Sequence, residues 1–249
     1  MTLRICSYNI HKGFSQFNRR MMVHELRERL RNLQSDLVFL QEVQGLHLLH
    51  PSRHADWPVQ PQHEFLADEI WPQHAYGRNA VYDHGHHGNA ILSRHLIVST
   101  ENTDVSAHRF ESRGMLHCKI SLPQFSEPVH CVCVHLGLTG AGRRRQMEAI
   151  AERLEVLAPT GAPLIIAGDF NDWRNQADLL LGRRLGLTEA FAANRGNPPR
   201  SYPSRLPLFR LDRIYVRGFR VRQAQVHFGQ PWSQISDHAA PTADLEVAV

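Results

Sequence analysis

The sequence predicts an α/β fold in which two packed β-sheets carry helices on their outer faces. Strand-like apolar runs alternate with helical repeats towards both ends of the chain, whereas the middle holds successive strand-like runs with no helix between them. Several runs end abruptly in an acid beside a polar partner, as in Pro163-Leu164-Ile165-Ile166-Ala167 followed by Gly168-Asp169-Phe170-Asn171, and Ser236-Asp237-His238 near the end. No linker-like stretch divides the 249 residues, so one domain over 1–249 is expected.

Leu3 to Ile10 reads as the first strand. Val23, Leu26, Leu30 and Leu33 then recur at helical spacing, and Ser35-Asp36 turns the chain into a second strand, Leu37 to Glu42. In the middle, Asn89 to Leu92, Met115 to Ile120 and Val129 to His135 are strands joined by hairpins and short loops, the pattern of antiparallel pairing. The loop Gly137 to Gly142 leads into a helix expected from Arg143 to Leu157, with Met147, Ile150, Leu154 and Leu157 as one apolar stripe. Leu164 to Ala167 is a strand and Gln176 to Leu185 a helix. Arg210 to Val216, Phe219 to Phe228 and Ala243 to Val247 read as closing strands, and the turn-rich Asn194 to Pro207 as a surface loop.

A hydrophobic share of 42% is enough for a packed core, and the formal charge of +4 comes from Arg more than Lys. That balance mildly favours phosphate-bearing partners and falls far short of a nucleic-acid-binding tail. No apolar run approaches the roughly 18 residues that span a bilayer, and Met1 to Ile5 enters a strand with no apolar leader segment. A cytoplasmic monomer without a transmembrane segment is the expectation. Cys6, Cys118, Cys131 and Cys133 lie in strand-like runs without CxxC spacing, so buried thiols are expected in place of zinc ligands or disulfides. His84-Gly85-His86-His87 lacks a second ligand cluster at metal-site spacing and is expected to be a mobile loop. Trp232 has two readings, a packed side chain or an apolar wall at the mouth of a site.

Buried carboxylates at several strand ends call for a cation, and oxygen donors select a hard divalent one. Asn9 offers an amide oxygen, Glu42 follows four apolar residues and a glutamine, and Asp237 adds a carboxylate, a set that suits Mg²⁺ or Mn²⁺. Asp169 and Asn171 are two apart and project to one side in extended geometry. Asp237 and His238 are adjacent and point in different directions.

The series Ser7-Tyr8-Asn9-Ile10, Leu40-Gln41-Glu42, His135-Leu136-Gly137, Gly168-Asp169-Phe170-Asn171, Leu211-Asp212-Arg213-Ile214 and Ser236-Asp237-His238 resembles the endonuclease/exonuclease/phosphatase superfamily. The likeness runs in order from residue 4 to about residue 247. The superfamily includes DNases, abasic-site endonucleases, inositol polyphosphate phosphatases and neutral sphingomyelinases. The resemblance implies a four-layer sandwich of two packed mixed β-sheets flanked by helices, and a metal-dependent phosphodiesterase acting through an activated water.

By the same resemblance, Glu42 serves the cation, Asp169 orients or deprotonates the water, and Asn171 holds the phosphate or Asp169. His238 pairs with Asp212 and stabilises the developing charge. His135 is a second donor that protonates the leaving oxygen; its place is taken by Tyr in abasic-site endonucleases, so the chain leans away from abasic repair. DNases give this His an acidic partner, for which Asp83 is the candidate here. Arg113, in Ser112-Arg113-Gly114-Met115, faces substrate, and one of Arg143 to Arg145, with Arg145 favoured, touches it. The partner is then a phosphoester: a small phosphodiester, a lipid headgroup cleaved as by a sphingomyelinase or phospholipase, or nucleic acid cut as by a DNase. A binding module that has lost catalysis is the alternative class, and it would lack at least one of Glu42, Asp169, Asn171, Asp212 or His238. All are present.

Overall fold

A computed structural model describes residues 2–248. From the N-terminus the elements are β1 (Leu3–Asn9), α1 (Val23–Leu33), β2 (Leu37–His47), α2 (His50–Arg53), α3 (Gln62–Ala67), β3 (Gln73–Tyr82) and β4 (Gly85–Ser93). Next come β5 (Ile97–Asp104), β6 (Gly114–Ile120), β7 (Val129–His135), α4 (Gly140–Leu157) and β8 (Leu164–Asp169). The chain closes with β9 (Thr188–Glu189), α5 (Ala190–Arg195), β10 (Asp212–Arg217), β11 (Phe219–His227), α6 (Trp232–Ile235) and β12 (Ala240–Val247). One six-stranded sheet has the order β11-β12-β1-β2-β4-β3 and the other β5-β6-β7-β8-β10-β9. Both are mixed, because β1 runs parallel to β2 and β7 parallel to β8 while the remaining pairs are antiparallel.

Side-chain alternation builds four layers. In β1 and β2, Ile5, Leu37 and Phe39 point into the inter-sheet core, where they meet Leu116, Cys131 and Ile165 of the second sheet. Their neighbours Tyr8, Val38 and Leu40 point outward onto Val23, Leu26 and Leu30 of α1 and onto Trp71 and Trp232. The second sheet repeats the device, with Val132, Val134 and Ile166 turned outward onto Met147, Ile150 and Leu154 of α4. Period-two alternation on strands that are covered on both faces explains why these runs are apolar throughout. All four cysteines are free and buried, as the strand-like runs around them led one to expect.

Elsewhere the structure corrects local expectations. β3 and β5 have no counterpart in the sequence reading, because they are half-exposed strands of polar residues whose partners alone declare them. His86 and His87 are paired into β4 and lie outside any mobile loop; the turn is Asp83-His84. α4 starts at Gly140, three residues early, because Thr139 caps it by accepting from the Gly142 N–H at 3.2 Å. The helix expected at Gln176 to Leu185 is widened into a π-helical segment over Asp178–Arg183. Within the stretch expected as a surface loop, Ser201 and Ser204 are buried.

Register places chemistry at the strand tips. His135 on β7 and Asp212 on β10 are both paired with Asp169 on β8, so three polar residues lie side by side at one edge of the sheet. In the other sheet Asn9 pairs with Gln41, one residue before Glu42. Gly168 makes the close approach possible: its φ is +154°, and a Cβ there would run into the Val134 carbonyl of β7. Gly168→Ala is expected to lose about 3 kcal/mol in urea denaturation. A loss below about 1 kcal/mol would mean that the β7–β8 contact yields easily.

Candidate active site

Glu42 reaches the cleft through a backbone irregularity. The β2–β4 register slips between Leu40 and Val43, and Glu42 itself has φ +56°, in the left-handed region. At this bulge Gln41 turns inward, donating to the Phe39 carbonyl at 3.1 Å and to Cys133 Sγ at 3.2 Å, which re-aims the Glu42 carboxylate outward. Asn9, the last residue of β1, stands beside it. Its Oδ1 accepts from the His11 N–H at 3.1 Å, and its Nδ2 donates to Glu42 Oε1 and Asp169 Oδ2, each at 3.2 Å. Turned this way, Asn9 bridges two carboxylates and holds them in place.

Asp169 is 1% exposed. Its Oδ1 accepts from the Asn171 backbone N–H at 2.9 Å, while Oδ2 lies 3.5 Å from His135 Nε2 and 3.7 Å from His238 Nε2. Asn171 is not extended, as expected from the sequence, but left-handed at φ +49°, and its side chain donates to the Leu136 carbonyl at 2.9 Å. It therefore fixes Asp169 through the main chain and the β7 exit through its amide. Behind His238, Asp212 Oδ2 meets Nδ1 at 2.9 Å, and Tyr202 tilts over the ring with centroids 5.1 Å apart. Ser236 anchors the last strand end, donating from Oγ to the Asn9 carbonyl at 2.7 Å, and Asp237 Oδ1 lies 3.4 Å from His11 Nδ1.

The electrostatics divide the groups. Burial alone would lower the His238 pKa, but the Asp212 and Asp169 carboxylates outweigh it and push it up to about 10. Burial raises Asp169 to about 6 against the pull of His238, with Asp212 adding to the rise. His135 is held well below the ordinary histidine range, first by burial and then by Arg113. Burial opposes ionisation of Glu42, yet nearby donors, His135 and Lys12 first and then the Asn9 amide, hold it at about 2. With His135 kept neutral by its own surroundings, Lys12, 3.9 Å from Glu42 Oε2, is the cation that matters there.

One cavity of about 420 Å³ gathers Asn9, Glu42, Arg113, His135, Asp169, Asn171, Asp237 and His238 in its lining. Asp212 lies behind it, fully buried. Arg145 is not brought to the cavity: it is exposed on α4. Arg143, two residues earlier and on another face of the helix, is the member of that trio with an internal role, donating to the Gly137 and Leu138 carbonyls at 3.2 and 2.6 Å with its guanidinium 4.7 Å from the Trp173 ring centre. Asp83 is exposed at the β3–β4 turn, so it is no partner for His135, whose acidic neighbours are Asp169 and Glu42. Trp232 packs edge-on against Tyr8, 5.7 Å between centroids, and does not line the cavity.

The sequence reading missed Lys12, His87, Trp173 and Tyr202, all in the lining. It also missed a polar platform beneath: the buried Arg213 donates to the Asp172 carbonyl and to Asn175 Oδ1, both at 2.9 Å. Arg213 stands inside a motif that was quoted, and Asp172 directly follows another, so a second acid and an arginine beside the motifs were the available signal. Asp169, Asp212 and His238 also lie close enough to share an ion, within 4.8 Å of one another. The short Nδ1–Oδ2 contact favours a hydrogen-bonded relay instead.

With this geometry in hand, comparison with known proteins is direct. Residues 6–238 match the model of the Endonuclease/Exonuclease/phosphatase family. The chain is 45% identical over 246 residues to YbhP of Escherichia coli (strain K12), covering 99% of this chain and 97% of that protein. Among solved structures, an endonuclease/exonuclease/phosphatase from Beutenbergia cavernae superposes with TM-score 0.76 at 18% identity, covering 99% of this chain and 72% of that one. The Bacteroides thetaiotaomicron mannosyl-6-phosphatase Bt3783 gives TM-score 0.72 at 15% identity over 98% and 99% of the two chains. The chain belongs to the endonuclease/exonuclease/phosphatase family, whose members are hydrolases acting on phosphoesters.

A raised histidine pKa has a defined sign. The His238–Asp212 pair stabilises the fold in full below the ordinary histidine value of about 6.5, and that contribution is lost as pH rises through about 10. In metal-free protein, the His238 ring resonances are expected to stay in the imidazolium position from pH 6 to 9 by NMR. Asp212→Asn should bring its titration down into that window. An unshifted ring titrating near pH 6.5 in the parent would contradict the pairing.

Proposed function

We propose that the chain is a divalent-metal-dependent phosphodiesterase that cleaves its substrate by in-line attack of one activated water. The observation that carries this reading is the meeting, in one cavity, of the Glu42 and Asp237 carboxylates with the Asp169–His238–Asp212 relay and His135. The residues fit a hard divalent ion. The nearest cationic groups to Glu42 and Asp237 are distant, Lys12 at 3.9 Å and His11 at 3.4 Å, the Asn9 amide holds one Glu42 oxygen, and the buried cysteines lie outside the cavity lining. Glu42 and Asp237 would hold Mg²⁺ or Mn²⁺, ions that need only one or two carboxylates and keep several waters. When bound, such an ion withdraws charge from the phosphoryl oxygens.

Asp169 is the general base. Its pKa of about 6 leaves it ionised near neutral pH yet basic enough to take a proton from water. The Asn9 amide and the Asn171 N–H hold its two oxygens so that only the lone pairs facing the cavity remain for that task. His238, charged and backed by Asp212, directs an N–H at the oxygen that gains charge as phosphorus becomes five-coordinate. His135, kept neutral, hydrogen-bonds a phosphoryl oxygen in place of the proton-donor role that the resemblance implied, and the leaving oxygen departs with the electron pair of the broken P–O bond and takes its proton from solvent. Arg113, partly buried in the lining, offers two N–H groups to the phosphate. The retention of Glu42, Asp169, Asn171, Asp212 and His238 speaks against an inactive binding module.

On bis(p-nitrophenyl) phosphate, EDTA should abolish turnover and Mg²⁺ or Mn²⁺ should restore it; full turnover without metal would overturn the mechanism. Asp169→Asn is expected to lower kcat about 10³-fold. His238→Ala should cost about 10²-fold or more in kcat/KM, and adding Asp212→Asn to it should change little, because the two act as a unit. Losses that multiply would show independent roles.

A further inference from the structure

We propose that Lys12 is a substrate-binding residue of the catalytic cavity, its ammonium engaging an oxygen of the phosphate that undergoes attack. This rests on the phosphodiesterase reading and adds to it a contact that none of the strand-end motifs carries.

Lys12 lies in the turn by which the chain leaves β1. His11, Lys12 and Gly13 have φ of +46°, +57° and +77°, three successive left-handed residues of which only the glycine adopts that region freely. Neighbours fix the turn from several sides. The His11 N–H donates to Asn9 Oδ1 at 3.1 Å, the Gly13 N–H to the Ile10 carbonyl at 2.8 Å, and the Met22 N–H to the Gly13 carbonyl at 2.8 Å. The buried Gln62 completes the clamp: its Nε2 donates to the Lys12 carbonyl at 2.8 Å, while its Oε1 accepts from the Gln44 N–H of β2 at 2.8 Å. A Cβ on Gly13 would run into that Nε2, so the amide and the turn are fitted to each other. Left-handed residues with side chains cost stability and persist only where the surroundings over-determine them. Here the result is a lysine in the lining beside Glu42, Arg113, His135 and His238.

The ammonium has capacity to spare. Nζ stands 3.9 Å from Glu42 Oε2, beyond hydrogen-bond distance, and donates to no other group among the described residues, so its three N–H donors are unspent. Neutralising Glu42 is the rival role. The two side chains are 37% and 19% exposed, and a solvated pair at that separation contributes little. It does not account for a strained and clamped backbone. A phosphate oxygen does, because a charge-assisted hydrogen bond to an ammonium depends on where the ammonium is held. Lys12 follows β1 of the first sheet and Arg113 precedes β6 of the second, so a phosphate between them is gripped from both sheets.

The test separates binding from stability. Inorganic phosphate is titrated calorimetrically into the full chain, in Mg²⁺ and in EDTA, for the parent, Lys12→Gly and Lys12→Met, and Tm is measured for each. Lys12→Gly removes the ammonium and relieves the left-handed strain, so phosphate affinity should fall at least about tenfold while Tm holds or rises. Lys12→Met keeps the backbone and the stem without the charge, and should lose the same affinity. On bis(p-nitrophenyl) phosphate both variants should raise KM about tenfold with kcat changed less than about threefold, as expected for a contact made before and during attack. Phosphate affinity unchanged in Lys12→Met, no phosphate binding by the parent in either buffer, or a Tm lowered by more than about 5 °C in Lys12→Gly, which would mark a structural counter-charge for Glu42, would overturn the assignment. Diester hydrolysis unaffected in both variants would remove this inference alone, whereas Lys12-dependent phosphate binding without any hydrolysis would remove the catalytic reading and leave the phosphate contact standing.

Discussion

Asp169 is a nearly solvent-free acid at the tip of β8, and a carboxylate so placed survives only if donors surround it. The structure supplies two, the Asn9 amide from the first sheet and the Asn171 N–H from its own loop, and sets the His135 and His238 rings 3.5 and 3.7 Å away, at the β7 tip and in the segment entering β12. These neighbours need support in turn. Asp212 orients His238, Ser236 ties that segment to Asn9, and the Ser204 hydroxyl donates to the Ser236 carbonyl at 2.6 Å. The satisfaction of one buried charge thus couples both sheets.

Strain collects at the same place. His11, Lys12, Glu42 and Asn171 all have positive φ, and all lie at or beside the cavity. Residues with side chains adopt that region at a cost, which persists only where the surroundings over-determine the backbone. Here a two-sided core does so: the inter-sheet layer and the two helix-covered faces lock β1, β2, β7 and β8, leaving their ends to take whatever angles the polar cluster demands. A rigid scaffold with strained tips holds acids and imidazoles that solvent-exposed loops would let relax.

The division of charge within the cavity follows from position. His238 faces two carboxylates and is cationic, whereas His135 faces Arg113 and burial and is neutral. Two histidines of identical chemistry thus come to differ in proton affinity. Beyond Lys12 and His87 the lining changes from acids to rings, so the cavity and the neighbouring trough differ in character across two shared residues.

The sequence by itself determined the layered α/β class, the buried cysteines and the strand-end acids, because each is a local property: alternation, run length and a polar residue where an apolar one would continue the strand. Glu42, Asp169 and His238 were legible for that reason, and Asp212 only through the resemblance of its motif. Partnership was not. That Asn9 bridges Glu42 and Asp169, that Arg143 is internal while Arg145 is exposed, and that Asp83 stands away from His135 depend on amide orientation, helix phase and hairpin register. Lys12 and Tyr202 come from irregular segments with no period to read, and β3 and β5 are polar strands defined by their neighbours. Only tertiary structure decided these, because hydrogen-bond direction and proton affinity are set by groups distant in the chain and adjacent in space.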